Sequence, residues 1–346
     1  MNAKPGTEAV PAKRINIALQ GGGAHGAFTW GVLDRLLEDG RIDIDAISGT
    51  SAGAMNAAVL AAGLAEGGCA GGRARLEEFW RRIAEAARFS PLQPCWLDRL
   101  MGNGNMDLSP AWHMFDTMTR FFSPYQLNPA NLNPLRDIVE AVVDFEALRT
   151  TTRVKLFLCA TNVLTGRIRV FETHEIGAAA VLASACLPFL FQAVEVDGEY
   201  YWDGGYMGNP PIYPLIYNAD SPDVLIIRIN PIRIPRLPTT AREILDRINT
   251  LSFNSSLMRE MRAIAFVTRL IDEGALDGSR YRRMYIHTVD AEEEMAQLGV
   301  SSKLNAEWGF LRELHALGRE RAGAWLEKHF EAIGQRSSTD IATTFL

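Results

Sequence analysis

One serine lies in a motif whose residue types suit nucleophilic chemistry. Residues 49–53 read Gly-Thr-Ser-Ala-Gly, so that Ser51 is flanked by Gly49 and Gly53. A strand-like run precedes this motif and an alanine-rich, helix-forming stretch follows it, which is the context of a nucleophile elbow. In such an elbow a sharp turn projects the serine hydroxyl, and the helix N-terminus favours negative charge. The motif therefore predicts Ser51 as a nucleophile.

A glycine-rich loop earlier in the chain allows two interpretations. Residues 21–26 read Gly-Gly-Gly-Ala-His-Gly after a strand-like run, which fits the G-x-G-x-x-G pattern of a dinucleotide-binding loop. The same loop could instead present bare N–H groups to an oxyanion that forms during a reaction. A dinucleotide site also needs an acidic residue at the far end of the second strand, whereas Asp43 and Asp45 lie at its near end. We therefore favour an oxyanion hole.

A serine nucleophile needs a proton acceptor, and the sequence offers two candidates. His287 lies in a late strand-like run, where the histidine of a Ser-Asp-His triad is often found. Asp203 ends a short aromatic run and is followed by Gly204 and Gly205. An Asp-Gly pair often forms a hairpin turn, but residues 196–198 already supply such a turn shortly before. Asp203 is the better candidate, and the triad with His287 remains the alternative.

The three glycine motifs occur in an order that resembles the patatin-like phospholipase family. They are G-G-G-x-x-G after the first strand, G-T-S-A-G after the second, and a distant D-G-G. Residues 183–205 are also similar to the family's segment leading into its catalytic aspartate, and the whole resemblance spans residues 15–230. It implies a three-layer α/β fold and a serine lipid acyl hydrolase.

By the match of motifs, the resemblance implies a Ser-Asp dyad without a histidine, in which Ser51 is the nucleophile and Asp203 the general base. It places the oxyanion among Gly21, Gly22, Gly23 and Ala24. Further motif positions that support the site are His25, Gly26, Gly49, Gly53, Gly204 and Gly205. Many family members carry Arg or Lys where this chain has His25, which is positively charged only when protonated. The mechanism needs no metal or other cofactor, and we expect none.

The expected substrate is a lipid ester, cleaved in the manner of a phospholipase A or a lysophospholipase. A first alternative is an esterase, depolymerase or acyltransferase for another acyl ester, such as a storage polyester or a thioester. A second is a non-catalytic nucleotide- or lipid-binding module, which would need neither Ser51 nor Asp203. We expect a cytoplasmic enzyme that can meet its substrate at a membrane surface, and we predict no particular oligomeric state.

The composition is that of an ordinary globular protein. The chain has 346 residues, of which 47% are hydrophobic and 22% charged, and its net charge is -6, so we expect no nucleic-acid partner. The N-terminal residues lack the apolar region of a secretory signal, and no apolar run approaches the length of a membrane span. The four cysteines show no C-x-x-C spacing, which favours free thiols in a reducing compartment.

Strand-like runs alternate with helical stripes along the chain, which predicts a mainly parallel sheet sandwiched between helices. The strands are expected at residues 15–20, 44–48, 154–160, 168–172, 224–230 and 284–289. The helical stripes repeat apolar residues with the i, i+3, i+4 spacing of helices that pack on a core.

We expect one domain over residues 14–335, with flexible tails at 1–13 and 336–346 and a C-terminal helical part at 239–335. Residues 90–134 interrupt the alternation of strand-like and helical segments, since they are rich in Pro, Asn, Gly, Met and aromatic residues. We interpret them as an insertion at the sheet edge. A sharper hypothesis is a cover for a long apolar ligand, such as an acyl chain.

Overall fold

A computed structural model describes residues 12–102, 104–277 and 280–346 of the chain. In this described part, eight strands form one sheet with helices on both faces. The strands are β1 (Lys13–Leu19), β2 (Ile42–Thr50), β3 (Lys155–Asn162), β4 (Ile168–Glu172), β5 (Val194–Val196), β6 (Glu199–Asp203), β7 (Asp223–Ile227) and β8 (Tyr285–Val289).

The α-helices connect and cover the strands. They are α1 (Gly26–Asp39), α2 (Ala52–Ala87), α3 (Trp96–Met101), α4 (Pro110–Phe121), α5 (Pro124–Leu127), α6 (Pro134–Val142), α7 (Phe145–Thr150), α8 (Ala178–Ser184), α9 (Tyr213–Asn218), α10 (Ala241–Asp272), α11 (Glu292–Met295), α12 (Trp308–His329) and α13 (Ile341–Phe345). Short 3-10 helices lie at Gly23–His25, Thr173–Glu175, Gly204–Tyr206, Ser301–Leu304 and Phe330–Ala332. Among the described helices, none is long and apolar enough to cross a bilayer.

The strand order is β5-β6-β3-β2-β1-β7-β8, with β4 paired to β3. The adjacent strands β3, β2, β1, β7 and β8 are parallel to one another. β4 and β6 pair antiparallel with β3, and β5 pairs antiparallel with β6. The prediction of a mainly parallel sheet is confirmed. Because parallel strands end at the same edge, the loops after β1 and β2 lie side by side there.

Alternation along β1 shows how the sequence builds three layers. Ile15, Ile17 and Leu19 belong to the core shared with α1, α2 and α12. Ala18 faces the other way, into the core shared with α9, α10 and α13. Successive side chains in a strand point to opposite faces of the sheet. A sheet that helices cover on both faces therefore needs apolar residues at successive positions of its strands. The three-layer α/β fold is confirmed.

The C-terminal residues differ from the expected flexible tail. Within 336–346, α13 forms at Ile341–Phe345, and Phe345 is buried in the core beside α10. A single aromatic side chain in a polar stretch is a weak sequence signal. Burial of Phe345 and the hydrogen bond from the Thr339 N–H to Ile286 O in β8 both hold this segment on the domain. At the other end, β1 begins at Lys13, and residues 1–11 of the expected N-terminal tail lie outside the described residues.

Two further features of the fold have local physical causes. The strand β5 was not predicted, because three residues beside a turn give too short an alternation to recognise, and it pairs with β6. The helix α2 is interrupted at Gly67 and Gly68, which have non-helical backbone angles. Adjacent glycines leave the backbone free to kink at that point.

Candidate active site

Ser51 lies in a strained turn between β2 and α2. Its backbone has φ 57° and ψ −124°, a conformation that a non-glycine residue rarely adopts and that costs about 1–3 kcal/mol. The Ser51 N–H donates to Ser184 Oγ at 2.9 Å, and the Met55 N–H donates to the Ser51 carbonyl at 3.0 Å. The turn is thus fixed from both sides, and strain of this kind is typical of functional positions.

The two glycines of the elbow are required by close packing. A Cβ atom at Gly53 would lie 2.3 Å from the carbonyl oxygen of Leu19 in β1. A Cβ atom at Gly49 would lie 2.7 Å from the carbonyl oxygen of Gly53. Both distances are far below van der Waals contact, so a larger residue at either position would push α2 away from the sheet.

Asp203 lies at the end of β6, beside Ala160 of β3. Its N–H donates to Cys186 O at 2.8 Å, and its carbonyl accepts from Thr161 Oγ1 at 2.9 Å. The side chain is fully buried, and Oδ1 accepts from the Gly205 N–H at 2.7 Å. Burial raises the pKa of Asp203 to about 6, which places this carboxyl near the range useful for a general base.

Ser51 and Asp203 are neighbours without a formed hydrogen bond. The Ser51 hydroxyl is close enough to oppose the rise in the Asp203 pKa. Asp203 Oδ2, however, has no hydrogen-bond partner among the described residues, so we take the pair as near but not in normal hydrogen-bond contact. A buried carboxylate oxygen without a partner is costly, and catalytic hydrogen bonds are often long without substrate.

The two glycines after Asp203 are also fixed by packing. A Cβ atom at Gly204 would lie 2.2 Å from the carbonyl oxygen of Cys159, and one at Gly205 would lie 2.4 Å from Phe253 Cε1. The Asp-Gly-Gly segment is therefore more than a turn signal, because its small residues let the backbone approach β3 and α10.

The glycine loop differs from the expected arrangement at Gly21. Its N–H donates to Asn209 Oδ1 at 2.7 Å, and its carbonyl accepts from Asn230 Nδ2 at 2.8 Å. The Gly21 N–H is therefore already used and is not available to an oxyanion. Gly22 and Gly23 both line the cavity that contains Ser51, and their N–H groups donate to no acceptor in the described part of the chain.

The remaining residues of the glycine loop pack against the interior of the protein. Ala24 packs in the core, and a Cβ atom at Gly26 would lie 2.8 Å from Ala52 Cβ in α2. His25 is buried, with Nε2 2.8 Å from Ser302 Oγ. Burial and the charge of Lys303 lower the pKa of His25 to about 3. His25 is therefore neutral near neutral pH and does not provide the positive charge that Arg or Lys would carry there.

The structure does not bring His287 to Ser51. His287 Nε2 is 2.9 Å from Asp223 Oδ1, and Nδ1 is 2.8 Å from Ser338 Oγ. Both ring nitrogens are therefore occupied by residues outside the elbow. A hydrogen-bonded core histidine in β8 gives the same sequence pattern as a late catalytic histidine, which is why the pattern could not separate the two.

A cavity of about 510 Å³ opens beside Ser51. Residues of α4 line part of this cavity, so the segment at 90–134 contributes to its lining. The larger apolar side chains that line the cavity are Trp112, Phe115, Leu187, Pro188, Phe189, Leu190, Leu245, Phe253, Val300 and Leu304. Charged side chains also line the cavity, namely Asp107, Asp116, Arg120, Arg242, Asp246 and Lys303. A site with large apolar side chains and a small set of charged groups is suited to a lipid with a polar head.

Three residues that support the site were missed in the sequence. Ser184 holds the Ser51 N–H, Asn209 holds Gly21, and Lys303 lines the cavity. Asn209 lies in the Met-Gly-Asn-Pro-Pro segment just after the Asp-Gly-Gly motif, and that proximity was a usable signal. Ser184 and Lys303 carry no comparable signal, because only the fold brings them to the elbow.

A family model described as patatin-like phospholipase matches residues 17–216 of the chain. The match covers more than half of the chain and contains the glycine loop, the elbow and Asp203. The chain belongs to the patatin-like phospholipase family. At the level of the family this indicates a lipid acyl hydrolase, in agreement with the sequence resemblance.

Two solved structures show a distant similarity. VipD from Legionella pneumophila is 16% identical over 92% of this chain and 67% of its own, with a TM-score of 0.45. ExoU of the Pseudomonas aeruginosa type III secretion system, in its heterodimeric complex with SpcU, is 18% identical over 93% of this chain and 52% of its own, with a TM-score of 0.40. The chain thus spans about half the length of that structure. A comparison with curated proteins found no match.

Asn209→Ala should destabilise the protein, because it removes the acceptor of the buried Gly21 N–H. An unsatisfied buried N–H costs about 1–3 kcal/mol of unfolding free energy, measurable by urea denaturation. Asn218→Ala, at the exposed end of α9, is the matched control and should change stability far less. Equal unfolding midpoints for the two variants would contradict the assigned role of Asn209.

Proposed function

We propose that the protein is a serine acyl hydrolase that cleaves lipid esters, as a phospholipase A or a lysophospholipase does. Ser51 is the nucleophile and Asp203 the general base, with no histidine between them. The observation that carries this proposal is the strained Ser51 turn, which opens on an apolar cavity beside a buried carboxyl of raised pKa.

In the first half-reaction, Asp203 accepts the proton of Ser51 as Oγ attacks the ester carbonyl. The unsatisfied Oδ2 of Asp203 is suited to this proton. The carbonyl oxygen becomes an oxyanion, which the Gly22 and Gly23 N–H groups and the N-terminus of α2 stabilise. The tetrahedral intermediate collapses, Asp203 returns the proton to the leaving alcohol, and an acyl-enzyme remains on Ser51.

In the second half-reaction, water attacks the acyl-enzyme with Asp203 again as the base. The new tetrahedral intermediate breaks its bond to Ser51 Oγ, which regains the proton, and the fatty acid leaves. An Asp base without an imidazole needs a carboxyl that is more basic than usual. Complete burial of Asp203 supplies that basicity.

The acyl chain is proposed to occupy the cavity between α4 and α10. One side of α4 lines this cavity through Trp112 and Phe115, while Met114 and Phe121 of the same helix are exposed. Exposed apolar side chains around a cavity that receives a lipid favour contact with a membrane surface. We therefore propose a peripheral protein that takes its substrate from the bilayer, which is compatible with the cytoplasmic location expected from the sequence.

A fluorophosphonate probe with peptide mapping tests the nucleophile and the class of enzyme together. The probe should modify the wild-type protein at Ser51 and leave Ser51→Ala unlabelled. Fatty-acid release from phosphatidylcholine, lysophosphatidylcholine and a polyester then identifies the preferred ester. A folded wild-type protein that stays unlabelled, or that is labelled at another residue, would contradict the proposal.

A further inference from the structure

Lys303 lies in the wall of the active-site cavity and belongs to no motif of the sequence. It is part of the 3-10 helix Ser301–Leu304, which packs against the glycine loop. The carbonyl oxygen of Lys303 would lie 2.3 Å from a Cβ atom at Gly23, which has φ +60°. The Lys303 backbone thus occupies the space that a side chain at Gly23 would need.

The ammonium of Lys303 is fixed near the same loop by two amide side chains. Nζ donates to Asn230 Oδ1 and to Asn249 Oδ1, each at 3.1 Å. Asn230 Nδ2 in turn donates to Gly21 O at 2.8 Å. Nζ also lies 5.3 Å from the centre of the Phe253 ring, within the range of a cation–π interaction. Two hydrogen bonds therefore connect the ammonium to the glycine loop.

The charge of Lys303 is not neutralised by contact. In the part of the chain that the structure describes, no carboxylate lies within ion-pair distance of Nζ. Arg120 and Arg242 also line the cavity, but they pair with Asp116 at 2.9 Å and with Asp107 at 3.1 Å. An ammonium has three donors, and the amides accept from two. The field of Lys303 can therefore act inside the cavity.

The Lys303 charge also acts on position 25 of the glycine loop. His25 Nε2 is 2.8 Å from the hydroxyl of Ser302, the residue before Lys303. A second cation there would be repelled, and the charge of Lys303 already helps to lower the pKa of His25. A neutral His25 beside a charged Lys303 thus leaves one positive charge next to the glycine loop.

We propose that the Lys303 ammonium supplies the positive charge that stabilises the oxyanion formed when Ser51 attacks an ester. This inference rests on the acyl-enzyme mechanism proposed above. A charge that hydrogen bonds already hold in place needs no reorganisation when the oxyanion appears. Because the negative charge develops only in the transition state, the interaction raises kcat more than it lowers KM.

The same charge sets an alkaline limit to activity. Burial lowers the pKa of Lys303 to about 8, although Asp246 and Asp203 oppose this. The Lys303 ammonium is charged below about pH 8 and loses its charge as pH rises through 8. Asp203 can act as a base only when ionised, which requires a pH above about 6. We therefore expect kcat/KM to rise through pH 6 and fall through pH 8. Asp246 and Asp203 act on the Lys303 charge, and His25 responds to it. Asp107 and Arg242, which line the same cavity, act on Asp246.

Lys303→Met tests the proposal, because it removes the charge and keeps an unbranched side chain. For a short-chain p-nitrophenyl ester, kcat should fall about a hundredfold, with a smaller change in KM. The alkaline limb should disappear, and the acid limb should move to higher pH because Lys303 no longer lowers the Asp203 pKa. Lys303→Arg keeps a permanent charge, so it should retain more activity than the methionine variant and lose the fall near pH 8.

Ser51→Ala and the exposed-lysine variant Lys328→Met complete the experiment. A wild-type protein without Ser51-dependent turnover would overturn the proposed function itself. If turnover depends on Ser51 but a folded Lys303→Met keeps the wild-type kcat and alkaline limb, only the role of Lys303 is overturned. The same holds if Lys328→Met lowers kcat as much as Lys303→Met does. If Lys303→Met does not fold, the pH dependence of kcat/KM still tests the proposal. A wild-type protein whose kcat/KM does not fall near pH 8 would contradict it, and so would a Lys303→Arg variant whose kcat/KM still falls there.

Discussion

Ser51→Ala should lower kcat for ester hydrolysis by at least about a thousandfold, because loss of a nucleophile leaves only binding and the oxyanion hole. The fold should persist, since the Ser51 backbone rather than its hydroxyl makes the bonds to Ser184 and Met55. Steady-state kinetics on a short-chain p-nitrophenyl ester, with the melting temperature measured in parallel, gives both quantities.

Ser255→Ala is the matched control for this loss. Its hydroxyl donates to Ser252 O within α10, at 2.9 Å, so its removal should leave kcat near the wild-type value. Turnover by purified Ser51→Ala above about a thousandth of the wild type would show that another residue performs the attack.

Asp203→Asn should cost as much activity as Ser51→Ala, because nucleophile and base act as one unit. An amide at the position of Oδ2 cannot accept the Ser51 proton. The pH profile gives a second check: the pKa of Asp203 is raised to about 6, first by burial, so wild-type kcat/KM should fall as pH drops through 6. A wild-type profile that stays flat from pH 5 to 7 would show that Asp203 is not the base.

The same substitution should not reduce stability at neutral pH. The folded-state pKa of Asp203 lies above its ordinary value of 3.8, so the folded state binds this proton more tightly than the unfolded chain. Stability is therefore lost as pH rises from about 4 through 6. Asp203→Asn removes this loss, and its melting temperature at pH 7.5 should equal or exceed that of the wild type. Loss of activity with stability retained is expected of a residue kept for function.

The parts of the fold that follow from local patterns could be predicted from the sequence. Strand-like runs that alternate with helical stripes predicted the parallel sheet, and a G-x-S-x-G motif between a strand and a helix predicted the elbow. Gly49 and Gly53 are informative because backbone atoms from other elements lie within 3 Å of their missing side chains. Such positions tolerate only glycine, so the sequence carries the constraint directly.

Features that depend on long-range packing could not be predicted in the same way. Lys303 reaches the glycine loop through a 3-10 helix far along the chain, and a lysine between two serines and a leucine looks like any surface residue. The use of the Gly21 N–H by Asn209 also depends on how two loops meet. The motif match therefore identified the residues of the glycine loop, but not which of their N–H groups are free.

The central claim, a dyad of Ser51 and Asp203 without a histidine, is tested most directly by comparing Asp203→Asn with His287→Gln on one short-chain ester. His287→Gln retains polar atoms toward Asp223 and Ser338, so the variant can be measured folded. We expect Asp203→Asn to lose at least about a thousandfold in kcat, and His287→Gln to keep most of its activity. A folded His287→Gln with kcat as low as that of Ser51→Ala would contradict the dyad.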